Sequence, residues 1–274
     1  MLEIPESRTI STQAGNVLLN RKIAEVHTAT SQHKFAFYCG DPTEYIKLLT
    51  GKQIKGSKGH GMFVDICCDE DIYITIGDGT NMRYYSPLEE LPKKHQMLIV
   101  FDDGSFVAYT VAMYGGIWAY QGIFDNPYYQ GSLKSTSPLD DAFDELYFDK
   151  IFKSTTKDIS IKALLATEQR IPGLGNGVLQ DILFNASIHP KRKKSKLTDF
   201  HKAELFHSLK VTLSKMTDMG GRDTEKDMFG QNGGYKTILS KNTFKNPCPN
   251  CGNSIVKEAY LGGSVYFCPT CQTL

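Results

Sequence analysis

No apolar run in this 274-residue chain approaches the ~20 residues that a membrane-spanning helix requires; the longest, such as Met97 to Phe101, are far shorter. The opening Met1-Leu-Glu-Ile-Pro-Glu6 lacks the basic and apolar regions of a secretory leader. The expectation is a cytoplasmic, untargeted protein with no membrane partner, associated with the nucleoid if bacterial. There is no excess of Gly (24) or Pro (11), and 41% of residues are hydrophobic, which excludes fibrous and disordered classes. The cysteines number seven, and an odd count argues against a disulfide framework. No sign of charge dominates, since the formal net charge is only +1.

That small total conceals a division. Residues 1–150 carry 13 Lys and Arg against 20 Asp and Glu, a net −7, whereas residues 151–274 carry 18 against 10, a net +8. A basic half beside an acidic one suits a polyanionic partner on the basic side, although solvated helix faces also collect lysine. The length is that of two compact units.

To about residue 125 the text is strand-like: Lys34–Cys39, Gly61–Cys67, Asp71–Ile76, Met97–Phe101 and Ser105–Val111, the last two joined by Asp102-Asp-Gly104 as a hairpin. Residues 5–20 and 41–49 read as flanking helices. Residues 125–139, rich in Pro, Ser and Gly, read as a linker. Helical periods follow at about 140–153, 159–168, 176–187 and 198–219, the last capped by Thr198 and ended by Gly220-Gly221.

Two motifs carry chemistry. Cys248-Pro-Asn-Cys251 and Cys268-Pro-Thr-Cys271 supply four thiolates at the spacing of a closed, tetrahedral, structural zinc site, with ribbon-like text between them. One Zn²⁺ per chain is expected; redox pairs or an iron site fit that text less well. Gln169-Arg-Ile-Pro-Gly-Leu-Gly-Asn176 opens a helix with a glycine turn, which can aim backbone N–H groups at a phosphate, with Asn176 as a further donor. The same turn also serves as a plain helix cap, and the basic run at 191–196 as a solvated loop.

The glycine turn with Asn176, the following His189-Pro190, the terminal cysteine pairs and the opening six residues together resemble the formamidopyrimidine-DNA glycosylase/endonuclease VIII family. The resemblance spans the chain. It implies an α+β fold: an N-terminal β-sandwich catalytic domain with flanking helices (1–124), a linker (125–139), a helix-two-turns-helix DNA-binding domain (140–245) and a zinc-finger hairpin (246–274). It also implies a monomer acting on damaged double-stranded DNA by base flipping. Glu3 matches the family's catalytic glutamate and Glu6 a structural one. Of the family's phosphate-gripping trio only Asn176 is matched; Gly175, beside it in the glycine turn, is a further candidate DNA contact, and His60 stands where the family carries a phosphate-binding lysine, with Lys58 nearby.

Departures are as informative. The family nucleophile is an N-terminal proline amine, and the matching position is Leu2, which predicts retention of Met1 and leaves its primary amine as the candidate nucleophile. This counts against the lyase step more than against the glycosylase step. The family's hairpin-tip and void-filling arginines are missing, and Met113 or Tyr114 could fill the gap left by a flipped base, or be core residues. Residues 220–244 read either as a surface loop or as a closing loop whose Arg222, Tyr235, Lys236 and Lys241 replace lost cationic contacts. The favoured function is a DNA glycosylase for oxidised or ring-opened bases, with AP lyase activity left open. The alternative is a catalytically inactive lesion- or structure-specific DNA binder; a weaker one is RNA or protein binding through the ribbon and the basic half.

Overall fold

The computed structural model describes residues 2–274; Met1, the candidate nucleophile, lies outside the described residues. Helix α1 (Ile4–Leu18) comes first, followed by strands β1 (Ile23–Thr28) and β2 (Ala36–Phe37), helix α2 (Glu44–Leu49), and strands β3 (Ile54–His60), β4 (Phe63–Cys68), β5 (Ile72–Ile76), β6 (Thr80–Tyr85), β7 (Met97–Phe101), β8 (Phe106–Val111) and β9 (Gly115–Gln121). These strands form a four-stranded sheet in the order β1-β7-β8-β6 and a five-stranded sheet in the order β2-β9-β5-β4-β3. One core holds Val26, Ile99 and Val107 of the first sheet against Ile66, Ile74 and Ile117 of the second, with Ile10, Ala14 and Leu18 of α1. That is a sandwich whose inward faces alternate as period-two text requires.

The helical part comprises α3 (Pro127–Lys134), α4 (Glu145–Lys153), α5 (Ile161–Ala166), α6 (Asn176–Asn185) and α7 (Asp199–Asp218), and the chain ends in the hairpin β10 (Val256–Tyr260) and β11 (Gly263–Phe267). A second core joins Phe143, Phe148, Leu164, Val178, Ile182, Leu209 and Met216. The stretch read as a linker contains α3, because Asn126 accepts from the Tyr128 and Tyr129 amides and Pro127 occupies the first turn. Among the described residues no helix is long and apolar enough to cross a membrane.

The first residues join the two bodies. Leu2 is buried in the sandwich core, Ile4 is buried in the helical core, and the Ile4 amide donates to the Gly173 carbonyl at 3.0 Å. Glu3 therefore sits between the two bodies with its neighbours fixed on either side. Residues 219–240 also cross between them. Met228 is fully buried in the sandwich core, its carbonyl accepts from the Tyr84 amide at 2.8 Å, and Tyr235 is buried in the helical core. The polar, glycine-rich text of this segment concealed those two anchors; it is neither a free surface loop nor an open flap.

Candidate active site at the junction of the two bodies

Glu3 is buried and accepts from the Gly177 amide at 2.9 Å and the Val178 amide at 2.7 Å, the N–H groups of the second and third residues of α6. The reading of that turn as a phosphate cradle is thus revised, since two of its amides hold a carboxylate of the same chain. No protein group accepts from the Gly175 or Asn176 amide among the described residues. The glycines are there for contact: a Cβ on Gly175 would lie 2.5 Å from a Glu3 oxygen, and one on Gly177 1.6 Å from Arg222. Gly175, rather than Asn176, is the N-cap of α6.

Beneath Glu3 lies Arg222, 2% exposed. Its guanidinium reaches Glu3 at 3.5 Å and Glu6 at 2.8 and 2.9 Å, while its amide donates to Glu6 at 3.1 Å. Glu6 also accepts from the Glu3 amide at 3.3 Å, which accounts for its structural role. Burial raises the Glu3 carboxyl above the ordinary carboxylate range; Arg222 pulls it back and Glu6 pushes it up again. Burial opposes the Arg222 charge, and the two carboxylates more than offset it. Arg222 was read as one of several cations for a polyanion; it serves the carboxylates instead, and nothing in its sequence neighbourhood signals this.

A cavity of about 200 Å³ opens over this cluster, lined by Glu3, Asn176, Arg222, Ser240, Lys241 and Tyr266. Lys241 is exposed at its edge. The Asn176 side-chain amide donates to the Ser264 carbonyl at 2.8 Å, and its Oδ1 is buried with no partner. Gln180 Nε2 donates to the same carbonyl at 3.0 Å, and buried Lys162 to the Tyr260 carbonyl at 2.6 Å. The hairpin tip is thereby fastened to α5 and α6, in a place where no hairpin arginine exists to be aimed.

His60 is turned inward. One ring nitrogen lies 3.1 Å from Asp65 and the other 3.0 Å from the Ser132 hydroxyl, and Asp65 also accepts from Thr75 and Tyr129 at 2.6 and 2.9 Å. Both nitrogens are spent, so the phosphate contact expected of His60 is corrected to a role inside this polar network. Lys58 is exposed and borders a hollow of about 150 Å³ with His60 and Arg8, apart from the Glu3 cavity. The basic run is also largely spent: Lys191 pairs with Glu258, Lys193 donates to the Asp158 carbonyl, and Lys194 to that of Phe152.

The sulfur atoms of Cys248, Cys251, Cys268 and Cys271 lie within 4.8 Å of one another, with Cys248–Cys271 at 3.8 Å and Cys251–Cys268 at 3.5 Å. Tetrahedral zinc with Zn–S bonds of ~2.3 Å needs sulfur–sulfur edges of ~3.8 Å, so the set fits one structural Zn²⁺.

A β-sandwich and a helical body meeting at a buried N-terminal glutamate, with a four-cysteine hairpin docked on the helical side, define a helix-two-turns-helix protein with a zinc finger. Residues 135–227 match the formamidopyrimidine-DNA glycosylase H2TH domain, and residues 245–274 the zinc finger found in FPG and IleRS. A formamidopyrimidine-DNA glycosylase of Acinetobacter baumannii is 27% identical over 282 residues, covering 100% of this chain and 98% of that protein. One of Cytobacillus firmus is 26% identical over 281 residues, covering 99% and 100%. In fold the chain is similar to the Lactococcus lactis Fpg in complex with DNA containing an abasic site (TM-score 0.85, 24% identity, 99% of this chain and 100% of that one). It is likewise similar to the MutM (FPG) protein of Thermus thermophilus (TM-score 0.80, 22% identity, 98% of each). Over nearly its whole length the chain is thus similar to formamidopyrimidine-DNA glycosylases, and its second half carries the H2TH domain and zinc finger found in them.

Proposed function

We propose that this chain is a DNA repair glycosylase that extrudes an oxidised or ring-opened base from duplex DNA and cuts its glycosidic bond, with Glu3 as the catalytic carboxylate. The observation that carries this reading is the placement of Glu3: buried at the meeting of the two bodies, raised in pKa, and facing a cavity edged by Asn176 and Lys241. A carboxyl moved toward neutrality suits general acid–base work. In the simplest course Glu3 takes a proton from a water molecule whose oxygen attacks C1′, and the base leaves with the bonding electron pair. In the other, the Met1 amine attacks C1′ as the base leaves with the bonding pair and the amine gives up a proton; the C1′–O4′ bond then opens, O4′ takes a proton from Glu3, and the resulting Schiff base permits strand cleavage. The free amides of Gly175 and Asn176, with Lys58 and Lys241, are the proposed phosphate contacts.

Residues 1–124 are read as the catalytic domain, 125–139 as the connector, 140–245 as the DNA-binding domain and 246–274 as the zinc finger. The protein acts as a monomer in the compartment that holds DNA, the cytoplasm or its nucleoid.

The test is base release and strand nicking on duplexes carrying oxidised, ring-opened or abasic sites, with borohydride trapping and intact mass of the N-terminus in the same sample. Release that Glu3→Gln abolishes supports the reading, and an adduct on Met1 adds the lyase step. A second reading, a lesion binder without catalysis, is favoured by Leu2 being packed into the core where the family places a reactive amine. Tight duplex binding with neither release nor adduct on any substrate would establish it.

A further inference from the structure

A second and larger hollow, of about 540 Å³, lies between one end of the five-stranded sheet, α3 and the turn at Glu168 and Gln169, and the chemistry above does not use it. Trp118 forms one wall. A Cβ on Gly77 would approach its indole to 2.9 Å and one on Gly116 to 2.0 Å, so the ring depends on two glycines for its seat. Phe63 stands 6.1 Å from it, centroid to centroid. Phe37, Tyr114 and Tyr128 make the rim, 51%, 44% and 61% exposed, and Met113 beyond them is 69% exposed. Large apolar side chains left in water as one patch mark a surface that something covers.

The polar groups say what. Asp78 lines the hollow, accepting from the Leu2 amide at 3.1 Å and the Tyr114 hydroxyl at 3.1 Å, and Glu168 lines it too. No Lys, Arg or His does. Glu168 is paired with Arg170, whereas Asp78 has no cationic partner among the described residues; such a carboxylate repels phosphate and accepts from N–H donors, while aromatic walls stack on a flat ring. Through Leu2 this wall is one residue from Glu3, so a single bound duplex can reach both cavities.

We propose that this hollow is a second base site, which receives an unstacked guanine of the bound DNA while the base to be cut lies beside Glu3. Guanine is the base that offers a carboxylate two adjacent N–H donors, whereas thymine offers one, flanked by carbonyl oxygens that a carboxylate repels. The proposal rests on the reading of the chain as a DNA-binding repair protein, and the experiment separates the two.

Trp118 is the chain's one tryptophan, so its emission reports this hollow alone. The whole protein is titrated with dye-labelled duplexes carrying a tetrahydrofuran site opposite guanine or thymine, with anisotropy reporting DNA binding and Trp118 emission reporting occupation. The expected result is saturable quenching that is deeper opposite guanine and is lost in Tyr128→Ala, a substitution at a largely exposed side chain, while anisotropy still shows binding. Equal or absent quenching with both duplexes bound, or quenching unchanged in Tyr128→Ala, overturns the proposal. Should neither duplex bind, the repair reading fails, and free nucleosides decide the site. Half-quenching by guanosine at a concentration at least about fivefold below that for thymidine sustains it, the lower end of the discrimination a well-paired base edge provides. No such difference overturns it.

Discussion

Arg222, 2% exposed, is held by two carboxylates beneath the cavity, and this ordering of charge makes specific demands. Replacing it with Met leaves Glu3 and Glu6 facing each other without a cation, which should cost about 3–5 kcal/mol in a denaturant titration, the range for breaking a buried ionic cluster from one side. If Glu3 works as a base, the rate of base release rises with pH through its pKa. Because Arg222 lowers that pKa, any Arg222→Met protein that still folds should show the acid limb displaced to higher pH. Asp181 makes a second demand. Fully buried, it accepts from the Ile238 and Leu239 amides at 2.9 and 2.8 Å, and burial raises it from 3.8 to about 6. The folded state then binds a proton more tightly than the unfolded one. Its contribution is fully present below about pH 4 and is lost as pH rises through about 6, a slope that Asp181→Asn should remove from the melting temperature. Lys241, exposed at the cavity edge, offers a contrast with Lys194, whose ammonium caps the Phe152 carbonyl. Lys241→Ala should reduce the salt dependence of duplex affinity by about one phosphate contact, and Lys194→Ala should not.

At the scale of elements, the hairpin of β10 and β11 is small, and its core of Cys248, Cys268 and Tyr266 is completed by Phe184 of α6 and by Leu239. Stripping zinc with a chelator should release one metal per chain and unfold residues 246–274, seen as loss of amide protection there and at Ser264, where Asn176 and Gln180 are fastened. The elements legible in the sequence were those with a strong local period or cap: α7 with Thr198, the β7–β8 hairpin with its Asp-Gly turn, α6 after the glycine turn, and the cysteine knuckles. β1, β3, β6 and β9 were not singled out, because Glu, Lys, Arg and Gly interrupt their alternation and pairing with neighbours decides them. α3 was hidden by Pro, Ser and Gly, residues that also begin helices. Glu3 and Asn176 were identified through resemblance, but apart from Glu6 the partners of the Glu3 carboxylate, Gly177, Val178 and Arg222, are 174 to 219 positions away in the chain, and no local signal links them. His60 illustrates the converse: its position in the chain suggested an outward role, and only the placement of Asp65 and Ser132 shows that both nitrogens are taken.

For the molecule as a whole, the sandwich and the helical body are joined at the first residues of α1, at the close backbone approach of Gly61 to Gly173, by His60 and Asp65 against α3, and by the segment carrying Met228. Met228→Ala should cost about 2–5 kcal/mol by emptying a core position, and hydrogen exchange should rise across residues 222–234 together rather than at one amide. Separating the two bodies would draw a fully buried methionine into water and break the cluster around Arg222 in the same movement. Ties of this kind oppose closure of the two bodies around a double helix. If the chain acts as proposed, the work of deformation falls on the nucleic acid, and a damaged site that has already lost stacking, and bends more readily, should be selected by its own compliance before any atom of the lesion is touched.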